Sequence, residues 1–228
     1  RSRLRLARSR VSPRWLAGTG ALVFAFAALF TFIRHNTHAI HRFRSEDDQK
    51  ALQAAYEREY KQYEHLPQPR IVAADVRVDL DPKRGHATVK GVLRLVNKTS
   101  GPIPAVHLVL RDELTIRELR FDRASELEHD DARLRYQIHR LAEPLAPGAE
   151  LVLHFDLADQ RDGFGNGGRD TALVENGSFL SSDQFVPSIG YSRDYELSTD
   201  DDRKEQGLPE RERMPALDDE AARANTYI

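Results

Sequence analysis

Histidine spacing is the first feature of this sequence that could carry chemistry. His35, His38 and His41 recur at every third residue, so the first two would share one face of a helix. Imidazoles placed in this way can bind zinc or copper. No carboxylate or fourth ligand lies nearby in the sequence, and the same side chains suit a hydrated membrane interface. The interfacial role is favoured, and for the six other histidines, scattered singly, we expect structural roles.

Two further patterns resemble ligand-binding motifs. Residues 163–168 match G-x-G-x-x-G, but a dinucleotide site needs that turn to open a helix in a βαβ unit. The residues that follow are strand-like and the chain lacks a parallel α/β pattern, so we expect a surface loop. The three aspartates at 200–202 lack the spaced ligands of a known calcium loop. We expect a solvated acidic turn there.

Common catalytic motifs are absent from the sequence. It contains no H-E-x-x-H, G-x-S-x-G or G-x-x-x-x-G-K-[ST] pattern. Because it contains no cysteine, it has no disulfide, thiolate nucleophile or thiolate metal site, and any metal would need histidine and carboxylate ligands. We therefore predict no catalytic, cofactor-binding or metal-ligating residue in this chain.

A long apolar run precedes most of these patterns. Trp15 to Ile33 are nineteen residues without a formal charge, and only Thr19 and Thr31 are polar. A helix of that length spans most of a hydrocarbon core about 30 Å thick, and a soluble helix would need a polar face. We predict a transmembrane helix. A signal peptide is the alternative, since Ala25-Phe26-Ala27 is a small-x-small site, but the run is longer than a usual cleavable core.

Charge is distributed very unevenly along the chain. Nine arginines precede the first acidic residue, Glu46, so residues 45–228 hold 25 basic and 36 acidic residues and a formal charge of −11. Six of the nine precede the apolar run, which predicts a cytosolic N-terminus and an external C-terminal part. Arginines beside a membrane segment usually serve topology or anionic lipids, so we expect the lipid bilayer, and no nucleic acid, as a partner.

A helix and then a series of strands are predicted after the basic collar at 34–44. Ser45 to Asp48 form a capping box, and a helix from about Glu46 to Glu64 would place an aromatic stripe on one face, which we expect to pack on the domain that follows. From Ile71 apolar and polar residues alternate instead, which predicts an antiparallel β-sandwich. The predicted strands include 76–80, 87–97, 105–110, 114–121, 134–141 and 151–157, with turns at 81–85 and 144–148.

Three ordered segments carry a resemblance to a known family. They are Tyr60 to Pro69, which follows the apolar run, Val174 to Tyr191, and Gly207 to Pro215. Together they resemble large bacterial membrane proteins in which an ABC-type permease region precedes a periplasmic domain of the membrane alanyl aminopeptidase type. The resemblance implies that residues 70–228 form the saddle-like N-terminal β domain of a zinc metallopeptidase.

The same resemblance limits what this chain would do. In the family a Phe-x-Pro segment packs toward the catalytic domain, and Phe185-Val186-Pro187 stands in the matching place. The family continues with Asp-Glu-Pro, whereas this chain has Ser188 to Tyr191, which agrees with the permease-linked subgroup. The family's zinc ligands and general base belong to an H-E-x-x-H helix that is not present before Ile228. Zinc is thus implied only for a downstream catalytic domain.

These observations predict a domain order and a function. We expect a basic cytosolic segment (1–14), a transmembrane helix (15–33), a juxtamembrane collar and helix (34–69) and an extracytoplasmic β domain (70–228). The first residue is Arg rather than Met, and residues 225–228 look like the start of a strand, so we expect a longer parent protein. The preferred function is a non-catalytic, membrane-anchored part of an aminopeptidase-like, permease-linked protein of the bacterial inner membrane.

Two other functions stay open. In the first, the parent is an active zinc aminopeptidase whose catalytic domain follows residue 228. In the second, the β domain is an accessory that binds a substrate or partner for an ABC exporter, with a transporter ATPase subunit as a further partner.

Overall fold

The structure is a computed structural model. It describes residues 13–40, 44–111, 114–160, 173, 175–179, 181 and 185–211. Two units are present: the first holds the N-terminal helix and the hairpin turn Leu80–His86, and the second holds Arg44–Asp79, Ala87–Asp159 and the segment that begins at Ser181. The glycine motif at 163–168, His41 and residues 225–228 lie outside the described residues, as does the side chain of His38.

Helix α1, Pro13–Arg34, contains the apolar run. Its side chains are exposed throughout, and Pro13–Thr37 is the one described segment long and apolar enough to cross a membrane, with a mean hydropathy of 2.1. A π-helical turn, His35–Ile40, follows it. There the Asn36 side-chain amide donates to the Phe32 carbonyl at 2.9 Å, which satisfies one of the carbonyls that a helix end leaves free.

Helix α2, Glu46–Tyr60, begins at the predicted capping box. The Ser45 hydroxyl accepts from the Asp48 amide at 3.1 Å, and the Asp48 carboxylate accepts from the Ser45 amide at 3.0 Å. The two bonds satisfy donors that the first turn would otherwise leave unpaired. A 3₁₀ turn, Lys61–Tyr63, continues the helix almost to its predicted end. This prediction is confirmed.

Among the described residues, eight strands form two antiparallel four-stranded sheets, which confirms the predicted sandwich. Sheet A has the order β1-β2-β7-β4, and sheet B has the order β5-β6-β3-β8. The strands are β1 Arg70–Asp81, β2 His86–Val96, β3 Ile103–Val109, β4 Leu114–Phe121, β5 Ser125–Asp131, β6 Tyr136–Leu145, β7 Glu150–Gln160 and β8 Ser188–Ile189. Leucines, valines and phenylalanines from both sheets meet in one buried core, as alternation predicts.

Two strands were not predicted from the sequence. β5 contains four carboxylates and one large apolar residue, Leu127, so it has no alternating pattern. It forms because β6 supplies a ladder, in which Leu127 lies opposite His139. β8 has only two residues, which pair with Leu108 and Val109 of β3. A two-residue strand has no periodicity to detect.

Two predicted turns differ from the structure. The turn expected at 144–148 begins later, because β6 continues through Leu145, and it closes where Gly148 adopts φ +76°. The acidic turn expected at 200–202 is instead the first turn of a short helix, α3, Asp200–Glu205. Thr199 caps this helix, and the negative charges lie at its N-terminus, where the helix dipole favours them.

Candidate functional site

The aromatic stripe of helix α2 lies against sheet B, as predicted. Tyr60 stacks on Tyr136 of β6 with ring centroids 3.9 Å apart and planes within 6°. Tyr56 stacks on Tyr191 with centroids 5.0 Å apart. Tyr63 and Tyr195 pack against the same rings. We call these rings the tyrosine cluster: Tyr56, Tyr60, Tyr63, Tyr136, Tyr191 and Tyr195.

The hydroxyl groups of both α2 tyrosines form hydrogen bonds. The Tyr56 hydroxyl donates to the Ser192 carbonyl at 3.2 Å and accepts from the Ser192 amide at 3.0 Å. The Tyr60 hydroxyl donates to Asp131 at 2.8 Å and lies 2.9 Å from Nε2 of His129. Each helix tyrosine therefore binds a different part of the chain, since Ser192 follows β8 and Asp131 ends β5.

Burial keeps four tyrosines of the cluster neutral. It raises the pKa of Tyr56, Tyr60 and Tyr136 above the ordinary range. For Tyr191, burial is again the largest cause, and a hydrogen bond to a carboxylate raises the pKa further. A phenolate base would require a lowered pKa, so these tyrosines do not provide one.

His107 of β3 belongs to the same environment. Its ring is buried, Nδ1 lies 2.8 Å from the Tyr136 hydroxyl, and the Tyr63 ring packs edge-on with centroids 4.8 Å apart. Burial lowers the pKa of His107 to about 4, so the imidazole is neutral at physiological pH. A structural role for this histidine was predicted, and its contacts are those of a packed core residue.

A buried ion pair lies on another face of α2. Arg203 of α3 and Glu57 are both about 2% exposed or less, and two parallel hydrogen bonds of 2.8 and 2.6 Å join the guanidinium to the carboxylate. Arg203 also donates to the carbonyls of Leu197 and Pro209. The fork geometry and the backbone acceptors leave little of either charge uncompensated.

A second buried carboxylate extends this network. Glu196 accepts a hydrogen bond from the Tyr191 hydroxyl at 2.8 Å, and Lys61 Nζ lies 3.3 Å from both Glu196 and Glu57. Burial alone would raise the pKa of Glu57, but the hydrogen bonds from Arg203 and Lys61 outweigh it and lower that pKa. The carboxylate is ionised. We call Glu57, Lys61, Glu196 and Arg203 the ionic network.

Along one edge of β3, a side chain makes hydrogen bonds that a longer neighbouring strand would otherwise make. The Gln68 amide donates to the Ala105 carbonyl at 3.2 Å and accepts from the His107 amide at 2.9 Å. The Gly190 amide donates to the His107 carbonyl at 2.8 Å. Gly190 has φ +81°, and a Cβ there would lie 3.1 Å from Gln68 Cγ, so this close approach requires glycine.

This site joins two parts of the chain. Among the described residues, no group of three or more histidines and carboxylates is placed to hold a metal. Neutral tyrosines and mutually paired charges instead fix helix α2 between sheet B and the segment 190–211.

The sequence predicted the tyrosine side of this site but not its ionic side. The tyrosines of α2 were predicted from their spacing, whereas Glu57 and Arg203 were missed because each lies in a strongly charged stretch. The Phe185-Val186-Pro187 segment, predicted to pack toward another domain, has its first two side chains half-buried against the sandwich core. His35, the first of the spaced histidines, is exposed.

Comparisons with known proteins give a partial likeness only. No family model matches the sequence, and no curated protein matches it. An M1 zinc metallopeptidase from Deinococcus radiodurans superposes with TM-score 0.34 and 15% identity, over 41% of this chain and 20% of that chain. A two-domain M1 zinc metallopeptidase bound to L-tryptophan superposes with TM-score 0.37 and 15% identity, over 53% and 29% of the respective chains.

The lengths of these proteins differ greatly. This chain spans less than a third of either metallopeptidase. The strands and their order define the two-sheet sandwich independently of these superpositions.

Proposed function

We propose that this chain is a non-catalytic module that fixes a β domain to a membrane and supports a peptidase-like domain that follows it. The observation that carries the proposal is the coupling of α2. This helix follows the apolar helix α1 in the chain, and it is held to the β domain by the buried Glu57 and Arg203 pair and by the tyrosine cluster. A flexible tether would not require buried contacts between α2 and the β domain.

The direction of the coupling also supports this function. Segment 190–211 follows the short strand β8, and its Arg203 and Glu196 are buried against or beside α2. The chain that follows residue 211 would therefore be connected to α2 by charged hydrogen bonds rather than by a flexible loop alone. Preorganised elements of this kind position neighbouring domains at lower entropic cost.

The finer parts of the proposal rest on the sequence resemblance. They are a bacterial inner membrane with α1 across it, a periplasmic β domain, and a downstream zinc peptidase-like domain. An ABC-type permease region and its ATPase subunit are the further neighbours that the resemblance suggests. Zinc is proposed for the downstream domain and for no residue of this chain.

Membrane anchoring is tested by fractionating cells that express the chain. We expect the protein to stay in the membrane pellet after an alkaline carbonate wash, and its intact mass to include α1. The matched variant is Ala25→Arg, which places a charge at the helix centre and should release much of the protein. A mass that begins after Ala27 would instead identify a cleaved signal peptide and overturn the anchor.

Support of a peptidase-like domain is tested on the parent gene. We expect an H-E-x-x-H segment in the reading frame after residue 228, and copurification of that region with the β domain after the connecting chain is cut by an engineered protease site. Arg203→Met should weaken the association. A reading frame that ends at Ile228, or pieces that separate completely on cutting, would contradict the proposal.

A further inference from the structure

Within the part of the chain that the structure describes, strand β1 presents an open edge. It is the end strand of sheet A, it has twelve residues, and all of them except Val76 and Val78 are exposed. The unpaired backbone groups of a long edge strand are a template for pairing with another strand. Its sequence contains neither lysine nor proline, which are common means of blocking such pairing.

The two faces of β1 differ in chemistry. Val76 and Val78 pack against the sandwich core, so the even-numbered residues from 72 to 80 share the inward face. All five are apolar, yet Val72 and Leu80 remain 43% and 42% exposed. The outward face carries Asp75, Arg77 and Asp79. Because apolar side chains are uncovered at both ends of the inward face, a partner strand that extends this face would bury them.

We propose that β1 pairs with β1 of a second copy of this chain, antiparallel and centred on Val76. In this register the inward face aligns Val72 with Leu80, Ala74 with Val78, and Val76 with its own counterpart. On the outward face Asp75 lies opposite Arg77. Because the arrangement has twofold symmetry, that charge pair occurs twice. Opposite charges and apolar pairs directly across a ladder are both stabilising.

Other registers are less favourable. Centring on Asp75 or on Arg77 places a charge opposite its own copy. Centring on Val78 pairs Arg77 with Asp79, but it also places Asp75 opposite Asp81, so that repulsion offsets the attraction. Centring on Ala74 places Arg77 opposite Ile71 and loses the charge pair. A shift by one residue turns charged side chains against the apolar face. The register centred on Val76 is thus the one that gains the charge pair without placing like charges opposite each other.

Pairing requires little rearrangement of existing contacts. Arg77 lies 3.3 Å from Asp79 on the same face, but both side chains are more than half exposed. Exposed pairs of this kind contribute little to stability. The guanidinium can therefore turn to the partner's carboxylate. Another end strand, β5, differs because its acidic side chains would repel a second copy.

The absence of cysteine allows a direct test in the full chain, reconstituted in detergent or lipid nanodiscs. Val76→Cys should form a disulfide with its own copy under mild oxidation. Asp75→Cys and Arg77→Cys proteins should cross-link when mixed, and much less when either is alone. Leu127→Cys, on the exposed edge strand β5, is the matched control and should stay uncross-linked.

A charge exchange tests the register independently. Arg77→Asp should raise the dissociation constant of the dimer about tenfold, because two attractive pairs become repulsive, and the double variant D75R/R77D should restore it. The near-UV signal of the tyrosine cluster checks that each variant is folded. Failure of Val76→Cys to cross-link with itself overturns the proposal, as does capture of another protein at this position or a dimer that is unchanged by Arg77→Asp.

Discussion

Two faces of helix α2 hold it in place by opposite means. On one face Tyr60 stacks on Tyr136 with ring centroids 3.9 Å apart, and both rings are neutral. On the other, Glu57 and Arg203 are both ionised and form two charge-assisted hydrogen bonds in a buried setting. The first contact gains from apolar area and ring geometry. The second depends on exact compensation of charge, because an unpaired buried charge is costly.

The difference shows how one short helix can serve two neighbours. Stacked rings tolerate salt and pH above neutrality, which suits a permanent attachment to sheet B. The ionic network fails as a unit when one member is lost, which suits a joint that must be correct in geometry. The joint also selects its partner, since a bidentate carboxylate accepts an arginine fork better than a lysine.

The largest expected effect comes from breaking the ionic face. Arg203→Met leaves Glu57 buried with Lys61 as its remaining cation, and should lower the free energy of unfolding by about 3–5 kcal/mol. Denaturant unfolding followed by tyrosine near-UV circular dichroism measures this, because the single tryptophan lies in α1.

The matched control for this prediction is an exposed ion pair whose carboxylate, Glu59, also lies on helix α2. Arg133 lies 2.6 Å from Glu59, and the two side chains are 55% and 46% exposed. Arg133→Met should change stability by less than about 1 kcal/mol. Equal losses in the two variants would show that burial of the Arg203 pair is energetically unimportant.

The aromatic face should respond less sharply. Tyr136→Leu keeps an apolar side chain against Tyr60 but loses the stacking and the hydroxyl near His107, so we expect a loss of about 2–3 kcal/mol. The same unfolding experiment measures it, with exposed Leu127→Ala, expected within about 0.5 kcal/mol, as the control. A loss above that of Arg203→Met would reverse the ranking of the two faces.

Acid should weaken the aromatic face through His107. Its pKa is lowered from 6.5 to about 4 by burial, so the unfolded chain takes up the proton first. The neutral ring's contribution is complete above pH 6.5 and is lost as pH falls toward 4, by about 2 kcal/mol at pH 5.

The variant His107→Gln isolates this effect. Glutamine retains hydrogen-bonding groups but does not titrate, so its stability should fall less between pH 6.5 and 5. Some slope should remain, because burial also lowers the pKa of His139. Identical pH profiles for the variant and the parent chain would assign the acid sensitivity to other groups.

The smallest effect is expected where α2 begins. Ser45→Ala removes the acceptor for the Asp48 amide, and should reduce stability by about 1 kcal/mol without altering either face. Hydrogen exchange should rise in the first turn of α2 and stay unchanged near Tyr60. Faster exchange along the whole helix would mean that the cap, rather than the two faces, determines its stability.

Much of the fold could be predicted from local patterns. An uncharged run of nineteen residues predicts a long apolar helix, the Ser45 capping box predicts where α2 begins, and alternation predicts most strands of the sandwich. These patterns suffice because helix and strand periodicity follow from backbone geometry within a few residues. The tyrosine stripe is predictable for the same reason, since one helix face must find an apolar partner.

The partners across the molecule were decided only by the tertiary structure. β5 became a strand because β6 offered a ladder to an acidic segment that has no strand pattern of its own. Arg203 lies 146 positions from Glu57, within a charged stretch that by itself predicts a solvated surface. Charged side chains are buried only where a matching partner compensates them, and no local feature of either segment records that match. The sequence by itself thus determined the elements and the aromatic face of α2, and tertiary packing decided the ionic face.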